Sequence, residues 1–506
     1  MAKAPTHAIS PTRAEDYPGW YQQIIRAADM ADNAPVRGCM VIKPWGYGIW
    51  ELVQRAMDDR IKATGHDNCY FPLFIPLRFI EKEAQHVEGF AKEMAVVTHH
   101  RLAMHDGKLV PEGELEEPLI VRPTSETIIG EAFRDWIQSY RDLPVLVNQW
   151  ANVVRWEMRP RIFLRTSEFL WQEGHTAHAT ADEAVEEMMR MLEVYREVVE
   201  DVMAIPVIPG EKSESERFPG ADRTTTIEAM MQDGKALQSG TSHFLGQNFA
   251  KAANIRFQTR EEGLDYVWTT SWGSSTRLIG ALIMTHGDDD GLRVPPKVAP
   301  RQVMIVPIIR DPSQAGPVLD YANRIADELS AQSYAGAPVR VRVDARDLPS
   351  QDKRWEWIKK GTPIVAEVGP RDIENDGVAF VRRDRLGEKK AIVGRAEFVG
   401  GIAAQLDELH RSLFGQALAY RRQRSRDDIA TYDDFREYFG GKGADAYDAE
   451  RGFVRAKWCG ERESEAKLAD LGVSIRCLPF DQSGTEGKCV LTGKPATTDA
   501  IFAKAY

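Results

Sequence analysis

No run in this sequence approaches the roughly 18 consecutive apolar residues that a membrane-spanning helix needs, and its 506 residues include only five cysteines. A helical membrane protein and a disulfide scaffold are therefore not expected; free thiols in a reducing compartment are. The opening MAKAPTHAISPTRAEDYPGWY lacks the apolar core of a secretory signal, so a cytoplasmic location is the expectation. Positive charge is in deficit: 65 Lys and Arg stand against 76 Asp and Glu, a net charge of −11. That argues against indiscriminate polyanion binding while leaving room for a local basic face. With 43% hydrophobic and 28% charged residues, extended disorder is excluded, and the length suits about three domains of roughly 150 residues. There is no internal repeat and no long low-complexity tract.

Ile49, Leu52, Val53, Ala56, Met57 and Ile61 recur at helical spacing up to Gly65. A second amphipathic helix opens at Thr180, with Glu183 completing a capping box, and should bury Val185, Met188, Leu192, Tyr195, Val199 and Val202. Between them PLIVRP, VLVNQWANVVRWE and IFLRTSEFLW read as strands. Helices and strands mixed without strict alternation predict an α+β domain on an antiparallel sheet over residues 1–291. The proline-rich joint LRVPPKVAP leads to a small α/β domain, 301–405, with strands at VMIVPII, VRVRV, IVAEV and VAFVR. A small α+β segment, 410–506, carries a basic run at Arg421, Arg422, Arg424 and Arg426, the Gly-rich GGKGAD, and a terminal Tyr506.

The block NVVRWEMRPRIFLRTSEFLWQEGHT (152–176) concentrates the chemistry. If both arms are strands, Arg155 and Glu157 share one face and Arg165 and Phe169 lie on the opposite arm. An arginine fork can hold a phosphate or carboxylate bidentately; an Arg–Glu ladder on a solvated sheet face is the competing reading. Trp171, Glu173 and His175 alternate on one face, an aromatic wall with an acid and an imidazole that suits a small amine ligand. Standing alone, such a histidine is more often a satisfied, partly buried one. RPTSET contributes Thr124 and Glu126, although TSET is also compatible with a plain helix start. LQSGTSHFLGQ offers Gln238, Thr241 and His243, and SWGSSTRLIGA places Ser275 and Arg277 at a helix N-terminus, a ready anion site.

Taken jointly these motifs resemble the class II aminoacyl-tRNA synthetases: RWE with its following arginine and phenylalanine is similar to their second signature motif, and SWGSSTR to the third. GHDNCYFPLF (65–74) looks like the first, which builds the dimer interface in that family. RPTSE, FLRTSEFLWQEGHT, FPGADRTTTIEA and TSHFLGQNF resemble the prolyl-tRNA synthetases of archaeal and eukaryote-like type, and the likeness extends from about Tyr17 to Tyr506. The resemblance implies a homodimer that uses L-proline, ATP with Mg²⁺, and tRNA(Pro). It implies that Arg155 holds the substrate carboxylate and α-phosphate, Glu157 lies near adenine, and Arg165 reaches the outer phosphates. Phe169 and Arg277 would cover the two faces of adenine, and Gln238 and Ser275 would add nucleotide contacts. Thr124 and Glu126 would receive the proline ammonium, in a pocket shaped by Trp171, Glu173, His175, Phe218 and His243. GTPIVAEVGPRD (361–372) resembles an anticodon-binding domain, whose base-reading residues would be Glu367, Arg371, Asp372 and Lys353 or Arg354.

Two departures carry expectations of their own. The stretch from Glu173 to Gln238 leaves no room for the editing domain of bacterial-type relatives, so mischarging with alanine or cysteine is expected. In the C-terminal segment Ser464 and Thr492 stand where relatives carry the second cysteine of each zinc-binding pair, so structural zinc is not expected. Threonyl-tRNA synthetase and a non-catalytic tRNA-binding paralogue are the alternatives. The first would need metal ligands in the pocket, whereas the N-terminal half has only Cys39 and Cys69, both outside the pocket motifs; the second typically loses the nucleotide-binding arginines, which are present here.

Overall fold

The computed structural model describes residues 7–84, 94–440 and 451–506; the part of GGKGAD beyond Gly440 lies outside them. The periodic stretch before Gly65 forms α1 (Pro44–Ala63), opened by a proline at its first position and burying Ile49, Trp50, Val53, Met57 and Ile61. A two-residue strand β1 (Asp67–Asn68) follows, and PLIVRP closes a strand that ends at Val121. Then come α2 (Glu126–Trp136), β2 (Val145–Val154) and β3 (Glu168–His178). The expected capping box starts α3 (Ala181–Glu197), Thr180 Oγ1 accepting from Glu183 N at 3.3 Å. Met188, Leu192 and Tyr195 are buried as expected, and a π-helical turn over Val198–Val202 keeps Val199 and Val202 inward; Val185 is only half-buried. Strands β4 (Val207–Glu211), β5 (Arg223–Met230), β6 (Ala236–Gly246) and β7 (Trp268–Ser275) and helix α4 (Arg277–His286) complete the first domain.

The expected strands around RWE are shorter than the sequence suggests. β2 stops at Val154 and β3 begins at Glu168, so Arg155, Glu157 and Arg165 belong to the loop between them and share no strand face. The loop has its own closure, because the N–H groups of Leu164 and Arg165 turn back to the Arg161 carbonyl and Phe163 takes a positive φ of 63°. Pairing this residue-rich turn takes precedence over extending the ladder.

Residues 301–405 form the expected α/β unit: β8 (Val303–Pro307), β9 (Val341–Val343), β10 (Ile364–Val368), β11 (Gly377–Arg382) and β12 (Ala391–Gly394), in the order β9-β8-β10-β11-β12. β8 is parallel to β9 and β10, and the last two strands are antiparallel. No break in secondary structure marks the span between 405 and 410: α5 (Arg395–Arg424) runs through it, and Gly400, Gly401 and Gly415 lie along its course. The only local signal there is glycine, which weakens a helix by about 1 kcal/mol each without ending it.

The C-terminal strands β13 (Val454–Trp458), β14 (Ser474–Pro479) and β15 (Thr498–Ala503) do not form a separate sheet. Among the described residues one ten-stranded sheet runs β13-β15-β14-β4-β5-β6-β7-β3-β2-β1. It is antiparallel except for the β1–β2 pair. The join is Leu478 opposite Glu211 and Pro479 opposite Gly210; a Cβ on Gly210 would lie 2.5 Å from the Leu478 carbonyl oxygen, so the contact requires glycine. Beside it the fully buried Glu228 accepts from Lys212 at 2.7 Å and from Arg476 of β14 at 3.1 Å. Tyr506 adds a further tie, its hydroxyl donating to Asp233 at 2.6 Å.

Burial works against the charged form of Glu228, but Lys212 and Arg476 outweigh it and hold its pKa below the usual glutamate value. Its stabilising contribution is therefore present above the unfolded pKa and lost as pH falls through the lowered folded one. Glu228→Ala strands two buried cations, which costs about 3–5 kcal/mol. The expected result is a clearly lower thermal midpoint at pH 7, with the difference from the parent protein shrinking in acid. An unchanged midpoint would show that this triad does not hold the two segments together.

Candidate active site

β3 lies between β2 and β7, so its pocket-facing side chains are fixed on both sides by ladder hydrogen bonds. Trp171, Glu173 and His175 rise from it on one face, as strand alternation demands. They line a cavity of about 250 Å³ together with Thr124, Glu126, Arg155, Phe169, Phe218, Gln238, Thr241, His243, Ser275 and Arg277. The lining therefore unites five separate stretches of sequence around one space.

One end is acidic. Glu173 is 2% exposed; its Oε1 accepts from Ser125 Oγ and, at 2.5 Å, from Gln149 Nε2, while Oε2 meets His175 Nε2 at 3.0 Å. Gln149 in turn accepts the Phe71 N–H at 3.1 Å, which ties the 65–74 stretch to the pocket acid. Glu126, first residue of α2, accepts from the Thr124 hydroxyl. Burial lowers the His175 pKa, but the Glu173 hydrogen bond and the charges of Glu173 and Glu126 outweigh it, so the net shift is upward. The neighbouring His243 behaves oppositely: burial, with the charges of His175 and Lys212, pushes it down to about 3 and leaves it neutral. Its ring packs on Phe218 at 4.7 Å and its Nδ1 meets Thr224 at 3.0 Å.

The other end is cationic. Arg155 donates through Nε to the Pro123 carbonyl at 2.8 Å and holds its guanidinium 5.5 Å from the Phe169 ring and 5.4 Å from Trp171. It is open to solvent through the mouth, yet the surrounding walls lower its pKa by desolvation against the pull of Glu126 and Glu173. Arg277, at the start of α4, donates to the Leu164 carbonyl at 3.1 Å. Its pKa is pushed down to about 10 by burial and then by the charges of Arg165 and Arg155. Arg155 and Arg277 are thus anchored by neutral carbonyls, leaving their charge available to an anion.

Glu157 and Arg165 do not line the cavity but flank it, 3.9 Å from each other in the loop, with Glu157 also accepting the Arg159 N–H at 2.8 Å. Sequence reading missed Arg217, Thr224, Ser239 and Ser271 on the wall and Gln149 behind it. Arg217 adjoins Phe218 in ERFPGADR, a cation beside an aromatic already selected, and that adjacency was a usable signal. Gln149 reaches Glu173 only through the cross-strand register, which the sequence does not display.

In the 301–405 unit, Lys353 is buried and its Nζ donates to the Asp344 carbonyl at 3.1 Å, an internal role rather than an outward one. One oxygen of Asp372 caps Gly369 N at 2.8 Å. Arg354 lies 3.8 Å from the buried Glu367, which also pairs with Lys390; Arg371 is exposed.

Comparison with known proteins agrees across the whole chain. Residues 110–286 match the family model for the tRNA synthetase class II core domain (G, H, P, S and T), 302–405 that for the anticodon binding domain, and 445–506 that for the prolyl-tRNA synthetase C-terminal domain. The chain is 62% identical to a proline–tRNA ligase of Paramagnetospirillum magneticum, covering 100% of both, and 61% identical to one from Protochlamydia amoebophila, covering 99% of this chain and 98% of that one. Among solved structures it is similar to a prolyl-tRNA synthetase from Cryptosporidium parvum in complex with halofuginone and AMPPNP. That chain shows 38% identity, TM-score 0.88 and 99% coverage of both chains.

Replacing Gln149 by Leu removes a hydrogen bond to a buried carboxylate, a loss of about 1.5–3 kcal/mol. The expected effect is a rise of roughly 10–100-fold in KM for the amino-acid substrate with little change in KM for the nucleotide, read from steady-state kinetics. Equal effects on both would show that Gln149 supports the fold as a whole and not the acidic end. The raised His175 pKa gives a contribution to stability that is full below the unfolded histidine value and fades as pH rises through the folded one. The thermal midpoint of the parent should therefore lose this contribution as pH rises through that range, and the loss should be absent in His175→Asn.

Proposed function

The chain belongs to the prolyl-tRNA synthetase family of class II aminoacyl-tRNA synthetases and ligates L-proline to tRNA(Pro) with ATP, and we propose that its proline and ATP meet in the cavity between Glu126 and Arg277. The observation that carries this reading is the make-up of that cavity, with Glu126 and Glu173 on the wall beside an aromatic surface and two guanidiniums, Arg155 and Arg277, whose hydrogen bonds go to neutral carbonyls. Proline needs such a combination: its ring offers nothing to hydrogen-bond, so selection rests on the secondary ammonium, the carboxylate and the shape of the walls.

Thr124 and Glu126 receive the ammonium, and Trp171, Glu173, His175, Phe218 and His243 enclose the ring. Arg155 bridges the proline carboxylate and the α-phosphate; Arg165 swings from the rim to the outer phosphates. Phe169 and Arg277 sandwich adenine, with Glu157, Gln238 and Ser275 as further nucleotide contacts. A proline carboxylate oxygen then attacks the α-phosphorus in line, and the bond to the leaving diphosphate breaks. Mg²⁺ arrives with ATP as part of that substrate. Positioning and charge neutralisation supply most of the acceleration, and no general base is needed for a carboxylate nucleophile. In the second step a terminal ribose hydroxyl of tRNA(Pro) attacks the prolyl carbonyl and AMP leaves.

Threonyl specificity is disfavoured because Cys39 and Cys69 are not among the cavity-lining residues. A paralogue without catalysis is disfavoured by Arg155 and Arg277 on the wall and Arg165 at the rim. Built-in editing is absent in this proposal, since α3 and strands β4 and β5 occupy the span from Glu173 to Gln238. The exposed Tyr70 and Phe74 in the 65–74 stretch support a homodimer; a single-chain mass in sedimentation would refute it. ATP and tRNA as substrates favour the cytoplasm, and no helix among the described residues is long and apolar enough to cross a membrane. For the anticodon, Arg371 and the Arg354–Glu367–Lys390 cluster are the candidate readers; Asp372 has one oxygen free, and Lys353 supports them from inside.

Amino-acid-dependent ATP–diphosphate exchange, run across the standard amino acids, should be strongest with proline and weaker with alanine and cysteine, because one pocket discriminates analogues by only about 1–3 kcal/mol per methylene. Arg155→Ala should lower kcat/KM for exchange by roughly 10²–10³-fold. Exchange at near parental rates in that variant would remove Arg155 from the reaction, and no exchange with any amino acid would favour the paralogue. Arg371→Ala should raise KM for tRNA while leaving exchange unchanged; an unaltered KM would take Arg371 out of the anticodon site.

A further inference from the structure

Two cysteine-bearing loops in the C-terminal segment are fastened together by a frame that the ligase reaction does not use. Cys459 follows β13 and is half-buried; Cys489, 1% exposed, follows the short strand Gly487–Lys488, which pairs with Pro495–Ala496. Their two loops are fastened at three points. Val490 N–H donates to the Lys457 carbonyl at 2.9 Å, Lys467 Nζ donates to the Leu491 carbonyl at 2.7 Å, and Lys494 Nζ pairs with Glu461 at 2.6 Å. Inside this frame Cys459 Sγ lies 3.5 Å from Thr492 Oγ1. The Cys489 N–H donates to the Lys494 carbonyl at 2.8 Å and the Cys489 carbonyl accepts from the Gly493 N–H at 2.8 Å, closing the turn that carries Thr492. Burial works to raise the Cys489 pKa, but hydrogen bonding by Thr492, Leu491 and Cys459 outweighs it and the net shift is downward, towards the reactive thiolate.

The donor set does not suit zinc, which takes four soft ligands in a tetrahedron. The Ser464 hydroxyl, at one of the two replaced cysteine positions, is committed elsewhere, accepting from Trp458 Nε1 at 3.0 Å and donating to the Glu461 carbonyl at 2.6 Å. Thr492 at the other offers only a hydroxyl. What is left is a pair of thiols, one reachable from solvent and one poised behind it.

We propose that Cys459 and Cys489 form an oxidation site that hydrogen peroxide closes to an intramolecular disulfide, joining the end of β13 to the 487–496 hairpin. The Cys459 thiolate attacks one peroxide oxygen; the O–O bond breaks, the departing hydroxide takes up the thiol proton as water, and Cys459 becomes a sulfenic acid. The Cys489 thiolate then attacks that sulfur, the S–O bond breaks, and the hydroxyl leaves with the Cys489 proton as a second water. Two electrons pass from the two thiols to one peroxide. The remaining cysteines are built-in contrasts: Cys477 is wholly buried in β14, where burial pushes its pKa up, and Cys39 and Cys69 belong to the first domain. The site does not depend on the assignment of the proline pocket.

The test treats the full-length protein with hydrogen peroxide, blocks remaining thiols under denaturing conditions, and reads tryptic peptides by mass spectrometry without reduction. The expected product joins peptide 458–462 to peptide 489–504 with loss of two hydrogens, and disappears on reduction. In Cys489→Ser the same treatment should leave Cys459 as a sulfenic acid that a dimedone probe captures. Because the first readout uses the unaltered chain, instability of the variant cannot mask the answer. The proposal is overturned if Cys459 proceeds to the sulfinic acid while Cys489 stays free to be alkylated. It is equally overturned if both thiols remain as accessible to the blocking reagent as before treatment.

Discussion

Burial of guanidinium charge against the pocket wall is the constraint on which the candidate active site depends. Arg277 is depressed by burial and by the charges of Arg165 and Arg155, and the nearest anchors of Arg277 and Arg155 are the neutral carbonyls of Leu164 and Pro123. Carboxylates in those places would quench the charge. The fold instead hydrogen-bonds both arginines to carbonyls and engages the wall acids with neutral donors, Glu126 with the Thr124 hydroxyl and Glu173 with Ser125 and Gln149. A substrate pair with positive charge at one end and polyphosphate at the other complements both sets of charge at once, and this is the charge pattern of proline beside ATP.

Rigid support for this arrangement comes from the sheet. Glu173 and His175 stand on a central strand, and the Gln149 bridge links Glu173 to the backbone of the 65–74 stretch, which carries the exposed Tyr70 and Phe74. On its other side the same sheet continues into the C-terminal segment, where the Lys212–Glu228–Arg476 triad fills the seam. The pocket is thus bracketed by the 65–74 stretch and by the last strands of the chain.

How much of this could be read from the sequence depended on the range of the signal. Trp171, Glu173 and His175 were legible because a strand has period two, and the Thr180–Glu183 box because capping is decided within four residues. Arg155 and Glu157 were expected on a strand face, but the strand ends at Val154, since loop closure through Arg161 carries no alternation to detect. Gln149 and the Glu228 triad were invisible because their partners are 24 and 248 residues away in the chain. The continuous course of α5 was not legible because the glycines along it weaken a helical signal that hydrogen bonding and packing sustain in the fold. The family resemblance located the pocket residues; the tertiary register explains how they are held.

The measurement that tests the central claim most directly is a crystal structure with a stable sulfamoyl analogue of prolyl-adenylate. The account predicts the proline ammonium within hydrogen-bonding distance of Glu126 and Thr124, the sulfamoyl group against Arg155, and adenine between Phe169 and Arg277. An analogue seated with its ammonium away from Glu126, or with the arginines turned out to solvent, would contradict it.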